Sequence, residues 1–263
     1  MSERRLEKRV ELDATPEQVW EAIATGPGVS AWFVPHRVEP HVGGAVEADF
    51  GSGHSGTGRV TAWEPGRRFA YGSPEPPAEG PDYAFEFLVE GRADGGTVLR
   101  FVQSGFLDAE GWEGEYDGFD TGWGLFFANL AAYLRHFPGL PVRNVVTMAF
   151  AQGGAAQVWP VLHRALGLDG HPAVGDEVTL APEGTPPISG VVDVATAEFL
   201  GVRSAHGLHR IGAEGEEGCG VSAYHYFYGV DEDTVDTAEL TARWQEWLDR
   251  LFPAPVGAAD AQR

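Results

Sequence analysis

The sequence predicts an α+β protein of two tandem domains, each a curved antiparallel sheet wrapped around a long C-terminal helix. Three observations predict it: an internal repeat, successive strand patterns of period two, and an amphipathic, Trp-bearing run that closes each half. The repeat shows first around two tryptophans, Thr15-Pro-Glu-Gln-Val-Trp20-Glu-Ala-Ile and Gly154-Ala-Ala-Gln-Val-Trp159-Pro-Val-Leu. Val42-Gly43-Gly44-Ala45-Val46 is echoed by Val174-Gly175-Asp176-Glu177-Val178, and the step from Val46 to Val60 equals that from Val178 to Val192. The closing runs are Trp123 to Leu130 and Trp244 to Leu251. A repeat this long means two domains rather than a solenoid. The expected division is 1–138, a linker at 139–143, a second domain at 144–254 and a tail at 255–263.

Residues 4–12 predict a strand with Leu6, Lys8, Val10 and Leu12 on one side. Thr15 is the expected N-cap of the helix that follows, with Pro16 at its first position and Gln18 placed for a capping box. A short helical segment then carries Trp32 and Phe33. Strands are expected at 46–50, 58–63, 67–72, 83–90 and 97–104, with Ala93-Asp94-Gly95-Gly96 as a hairpin turn. The Pro-rich stretch 73–81 is an expected exposed loop. A helix is expected from about Phe119 to His136, since Phe119, Trp123, Phe126, Leu130, Tyr133 and Phe137 recur at steps of three and four. In the second half the pattern gives a strand at 144–150, a helix at 155–166, strands through 228 and a helix at 237–252. A sheet with one aromatic side must bury that side, and the terminal helix is the element long enough to cover it.

Bulk composition narrows the function. The chain has 263 residues, of which 43% are hydrophobic, enough for a real core in each half. Its formal charge of −21 opposes nucleic acid and anionic membrane surfaces. The lone Cys219 cannot form an intrachain disulfide, and the charged N-terminus lacks an apolar leader, so a cytoplasmic location without membrane insertion is expected. The acidic segment from Asp108 to Asp120 reads as a solvated loop or as a cation-binding one.

The strand, the Thr15 to Ile23 helix and the Trp32-Phe33 segment resemble the START/Bet v 1-like (SRPBCC) superfamily. Val42-Gly43-Gly44, Ser104-Gly105-Phe106 and the Gly122-Trp123 to Leu130 helix narrow the resemblance to the activator of Hsp90 ATPase homologue 1-like branch. The match covers residues 4–137 well and 144–252 weakly. In the second half Trp159 to Val178 is seven residues shorter than Trp20 to Val46, and the counterpart of Trp32-Phe33 is missing. The resemblance implies a helix-grip fold with a hydrophobic cavity. It does not imply one activity, because relatives include lipid and hormone carriers, polyketide aromatase/cyclases, co-chaperone-like proteins and proteins that bind enediyne antibiotics in their producers. The Gly-, Ala- and acid-rich composition suits a high-GC actinobacterium and such natural-product settings.

Cofactor and metal chemistry find no constellation. Gly51-Ser-Gly53-His-Ser-Gly56 matches a dinucleotide fingerprint in letters but lies between strand patterns, so a hairpin loop is expected and no cofactor. His36 with His41, and His206 with His209, lack further ligands at zinc spacing, and no metal is expected. In Ala223-Tyr-His225-Tyr-Phe-Tyr228 the histidine shares a face with Ala223 and Phe227. It reads as a hydrogen-bonded histidine on a half-exposed sheet or as a polar group inside a cavity. No nucleophile elbow occurs, so no catalytic residue is assigned.

The expected partner is a hydrophobic, flat, polycyclic small molecule held by stacking. Its lining set is Trp32, Phe33, Phe50, Tyr71, Phe85, Phe87, Phe101, Trp112, Phe119, Trp123, Phe126 and Phe127. A second, shrunken cavity is expected around His225, Tyr226 and Trp244. Two other readings stand beside this one: a polyketide aromatase/cyclase, with His225, Tyr226 or Arg100 converging in one cavity, and a co-chaperone that stimulates an Hsp90-type ATPase through an unidentified protein contact.

Overall fold

The computed structural model describes residues 5–51, 53–73, 82–106 and 112–253, without the side chains of Trp112, Glu113 and Glu115. The Pro-rich loop beyond Ser73, the first four residues of the acidic segment (108–111) and the C-terminal tail lie outside the described residues, and from 112 onward the acidic segment is helix rather than the expected loop. The chain divides into two compact units, Met1–Val142 and Arg143–Arg263.

The first unit opens with β1 (Arg5–Leu12) and α1 (Pro16–Ala24). The capping box forms as the sequence implies: the Thr15 hydroxyl accepts from the Gln18 amide, and the Gln18 side chain accepts from the Thr15 amide. A five-residue helix, α2 (Gly26–Ser30), lies directly against α1, because a Cβ on Gly28 would collide with the Glu21 carbonyl. Then come β2 (His36–Val38), β3 (Ala45–Gly51), β4 (His54–Glu64), β5 (Arg68–Gly72), β6 (Ala84–Gly91) and β7 (Thr97–Ser104). They form one antiparallel sheet in the order β1-β7-β6-β5-β4-β3-β2. The glycine-rich Gly51–Gly56 stretch is the β3–β4 hairpin, in line with its reading as a loop.

The closing helix, α3 (Trp112–His136), begins seven residues before the predicted start. Four glycines and a run of acids hide its first turns from a propensity reading. The aromatic stripe nevertheless continues backward through Tyr116, whose ring sits 6.2 Å from that of Phe106. Lys8 on β1 pairs with Asp120 on α3 at 2.7 Å.

The second unit repeats the plan with two elements fewer near its start. It contains β8 (Val142–Gln152), α4 (Ala155–Leu166), β9 (Glu177–Leu180), β10 (Ile188–Ala195), β11 (Phe199–Ser204), β12 (Gly207–Glu214), β13 (Gly218–Tyr228) and α5 (Thr237–Leu251). Its sheet runs β8-β13-β12-β11-β10-β9. Strand for strand this is the order of the first sheet, with the counterparts of α2 and β2 absent. The missing seven residues account for that loss: after α4 ends in a left-handed Gly167 cap, the chain reaches β9 within ten residues. Trp244, Trp247 and Leu248 of α5 pack with Leu200, Val202, Ile211, Val221 and Ala223 of the sheet in one apolar core.

Candidate functional site

In the first unit the sequence places aromatic residues on both walls, and the fold brings them into one continuous cluster. Trp32 is fully buried, its indole N–H donating to the Ala22 carbonyl at 2.8 Å. Asn129 of α3 donates to the Trp32 carbonyl at 3.3 Å, so α1 and α3 both hold the Trp32-Phe33 segment. Phe33 meets the rings of Phe126 (4.3 Å between centroids), Trp123 (5.1 Å) and Phe50 (5.9 Å). Trp123 in turn lies 4.2 Å from Phe101 and 5.5 Å from Phe127. Phe85 joins through Phe101 and Tyr71, and Phe69 stacks on Phe87. Edge-to-face and offset pairs of this kind add about 0.5–1.5 kcal/mol each beyond the area they bury.

Beside the cluster is a cavity of about 10 Å³, lined by Ile23, Val29, Trp32, Phe33, His36, Val38, Val46, Phe69, Tyr71 and Phe87. That is room for about one water molecule. The rings themselves occupy the grip between helix and sheet, so a larger guest enters by displacing them.

Of the expected lining residues, Trp32, Phe33, Tyr71 and Phe87 border this cavity. Phe50, Phe85, Phe101, Trp123, Phe126 and Phe127 belong to the adjoining ring cluster. Phe119 sits farther along α3 against Tyr83 and Phe106. The Trp112 side chain lies outside the described residues.

Two polar residues of this interior escaped the sequence reading. His36 lines the cavity, and its Nδ1 lies 2.7 Å from the Val34 carbonyl. A carbonyl only accepts, so Nδ1 carries the hydrogen and Nε2 of the neutral ring is an acceptor. Burial lowers the His36 pKa to about 4, against the opposing hydrogen bond, so the ring is neutral near pH 7. Burial also pushes the Tyr71 phenol upward. Gln103, fully buried on β7, shares the inner face with Phe101, and its Oε1 accepts from the Trp123 indole N–H at 2.7 Å. Its Nε2 is buried without a hydrogen-bond partner. The signal for Gln103 was available: it is the polar member of the inward series Leu99, Phe101, Gln103.

In the second unit His225 shares the inner face with Ala223 and Phe227, as alternation requires, and its ring lies 4.1 Å from that of Trp244. Its surroundings are core rather than half-exposed sheet, since His225 is 1% exposed. Tyr226, grouped with it in the sequence reading, does not join it: strand alternation sends it to the opposite face, paired in register with Leu208. Arg100 lies in the other unit, on the face of β7 opposite Phe101, and salt-bridges Glu7 at 3.9 Å.

The partner of His225 is His209, its cross-strand neighbour, with Nδ1 atoms 3.1 Å apart. His206 occupies the β11–β12 turn instead of a strand. Ser204 Oγ lies 3.0 Å from His209 Nε2 and 3.4 Å from the Gly207 carbonyl. One direction satisfies every link: His225 Nδ1–H donates to His209 Nδ1, His209 Nε2–H donates to Ser204, and Ser204 donates to Gly207. The chain ends at His225 Nε2, which is buried with no partner. Burial lowers both pKa values, that of His209 to about 3 with the Arg210 charge contributing. Among the described residues no three His, Cys, Asp or Glu side chains are grouped so as to hold a metal ion.

A grip of sheet on helix, repeated, with a ring-filled interior defines the class: a tandem helix-grip protein. Residues 13–135, a little under half of the chain, match the family described as activator of Hsp90 ATPase homolog 1-like protein, so the first unit is similar to that family. Among solved structures the chain is similar to a protein from Mesorhizobium loti, MLL2253, at 23% identity over 51% of this chain and 98% of that one, with a TM-score of 0.46. DynU16, from the dynemicin biosynthetic locus, is 19% identical over 94% of this chain and 97% of its own (TM-score 0.45). BexL, a di-domain ARO/CYC from the BE-7585A biosynthetic pathway, is 13% identical over 96% and 99% (TM-score 0.45). No curated protein matches the sequence. No helix among the described residues is long and apolar enough to cross a membrane.

Proposed function

We propose that the first unit binds a flat, largely apolar, polycyclic small molecule between α3 and the sheet, and holds it without transforming it. The observation that carries this reading is the ring group of Phe33, Trp123, Phe126 and Phe101 next to a cavity bordered by His36 and Tyr71. A flat guest that displaces Phe33 or Phe126 exchanges one set of stacking contacts for another, so opening the grip loses little. The neutral His36 acceptor and the Tyr71 phenol offer orientation at one wall, as small-molecule sites commonly do. Sequestration of a cytotoxic natural product is the specific form of this reading, and an aromatase/cyclase role would need turnover of the same guest.

Trp32 and Trp123 report on the site directly. Titration with aromatic polyketides and simpler tricyclic probes is expected to quench their fluorescence, with no change in the recovered guest. If no member of the panel binds more tightly than about 100 μM, or roughly −5.5 kcal/mol, the reading is wrong. The match of residues 13–135 to a family named for Hsp90 activation supports a second reading, stimulation of an Hsp90-type ATPase. A mixing assay that leaves the ATPase rate unchanged would remove it.

A further inference from the structure

Gln103 and His225 stand on equivalent strands of the two units, each facing the closing helix. Each lies on the inner face of the strand that feeds the closing helix, β7 or β13, and these strands hold the same position in their sheets. Each touches the tryptophan of that helix: Gln103 Oε1 accepts from Trp123 Nε1 at 2.7 Å, and His225 lies 4.1 Å from Trp244. Each also ends in a buried nitrogen without a partner, Gln103 Nε2 and His225 Nε2. Leaving such a group unpaired costs about 1–3 kcal/mol, and an apolar side chain would avoid the cost. The residue type differs between the units while the unpaired nitrogen recurs. A purely structural bond to the tryptophan does not account for that, because only Gln103 makes one.

The orientation of Gln103 follows from its partner. An indole nitrogen only donates, so Oε1 must face Trp123 and both Nε2 hydrogens face away from it. Register places Leu6 on one side of Gln103 and Phe85 on the other. Lys8, the cation on that side of β1, is already paired with Asp120. A neutral acceptor therefore suits the position, whereas a carboxylate would be buried uncompensated.

We propose that Gln103 is the specificity-determining residue of the first unit, its Nε2 donating a hydrogen bond to a carbonyl oxygen on a flat aromatic ligand, a ketone or quinone. This rests on the binding reading above and adds to it which functional group the ligand carries.

The test uses the full chain and a matched pair of probes, 9-fluorenone and fluorene, which share a skeleton and differ by one carbonyl. Wild type is expected to prefer fluorenone by about 3–10-fold, the worth of one net hydrogen bond. Gln103→Leu should erase that preference, whatever it does to the affinity the two probes share. Because Gln103→Leu also strips Trp123 of its acceptor, a second readout needs no substitution: the side-chain amide ¹⁵N–¹H resonances of Gln103 in wild type should shift with fluorenone and stay in place with fluorene. Equal binding of the two probes, with no amide shift, overturns the role of Gln103 and leaves the binding reading intact. A fluorenone preference that survives Gln103→Leu overturns it equally. Failure of these two probes together with every other member of the aromatic panel overturns the binding reading and this inference with it.

Discussion

His209 and His225 face each other across β12 and β13 with their Nδ1 atoms 3.1 Å apart, inside the apolar core under α5. At that distance one nitrogen donates and the other accepts, so each ring carries a single proton and the pair is neutral. Protonation would place a charge beside Trp244 and, for His209, next to the Arg210 charge that already opposes it. The pair is thus a structural element that works only in its neutral form.

Acid should therefore destabilise the protein well above the range in which carboxylates titrate. The folded pKa of His209 is depressed to about 3 and that of His36 to about 4, both below the unfolded value of 6.5. The folded state binds fewer protons, so its stability is complete above pH 6.5 and is lost as the pH falls toward those values. Each of these histidines is expected to remove about 2 kcal/mol between pH 8 and pH 5. Urea melts across that interval check this, and a flat stability profile would contradict it. Replacing His209 with Gln should reduce the second unit's share of the slope to that of His225.

Glu214 acts in the opposite direction. Burial, then the neighbouring Glu198 charge, raises its pKa to about 7. A raised pKa means stability that is fully present below the unfolded value of 4.5 and is lost as the pH climbs from there through 7. Glu214→Gln keeps the shape of the protonated acid, so it should raise stability by about 1 kcal/mol at pH 5 and by roughly 3 kcal/mol at pH 8.5. A gain of equal size at both pH values would show that charge is not the cause. Together with the histidines, this sets the stability maximum near neutrality.

Arg210 is 1% exposed and makes a two-pronged bond to Asp193, Nη1–Oδ1 at 2.8 Å and Nη2–Oδ2 at 2.9 Å. Removing the carboxylate takes from the buried guanidinium the two-pronged bond to Asp193. Asp193→Ala is expected to destabilise the second unit by about 3–5 kcal/mol, while replacing both residues with apolar ones of similar volume should recover most of that loss. Calorimetry of the two variants decides it, and a double variant no better than the single one would count against this account.

The sequence made the tandem plan legible because the repeat, the capping box and the period-two strands are local signals that tertiary packing did not override. Thr15, Gln18 and the alternation that places His225 with Ala223 and Phe227 are all of this kind. The interior was harder to read. A list of aromatics cannot show whether rings enclose a space or fill it, and here Phe33, Trp123 and Phe126 fill most of theirs. The polar partners were missed for a related reason: His209 meets His225 through strand register, and Gln103 meets Trp123 across 20 residues of chain. The start of α3 was missed because Gly114, Gly118, Gly122 and Gly124 argue against helix while the Tyr116-Phe119-Trp123 stripe argues for it.

Those glycines yield the last prediction. A Cβ built on any of the four meets no atom within 4 Å, so packing does not require glycine there. Each costs the helix about 0.8–1 kcal/mol relative to alanine, which makes the first half of α3 its least stable part. That half carries Phe119 and Trp123, so a guest that enters past these rings needs it to yield. Gly118→Ala and Gly124→Ala should each raise stability by up to about 1 kcal/mol. The double variant should also slow the association of an aromatic probe in stopped-flow Trp fluorescence, and slow its release with it, because neither methyl group touches the site. Stabilisation without any slowing would show that guests enter elsewhere than through the start of α3.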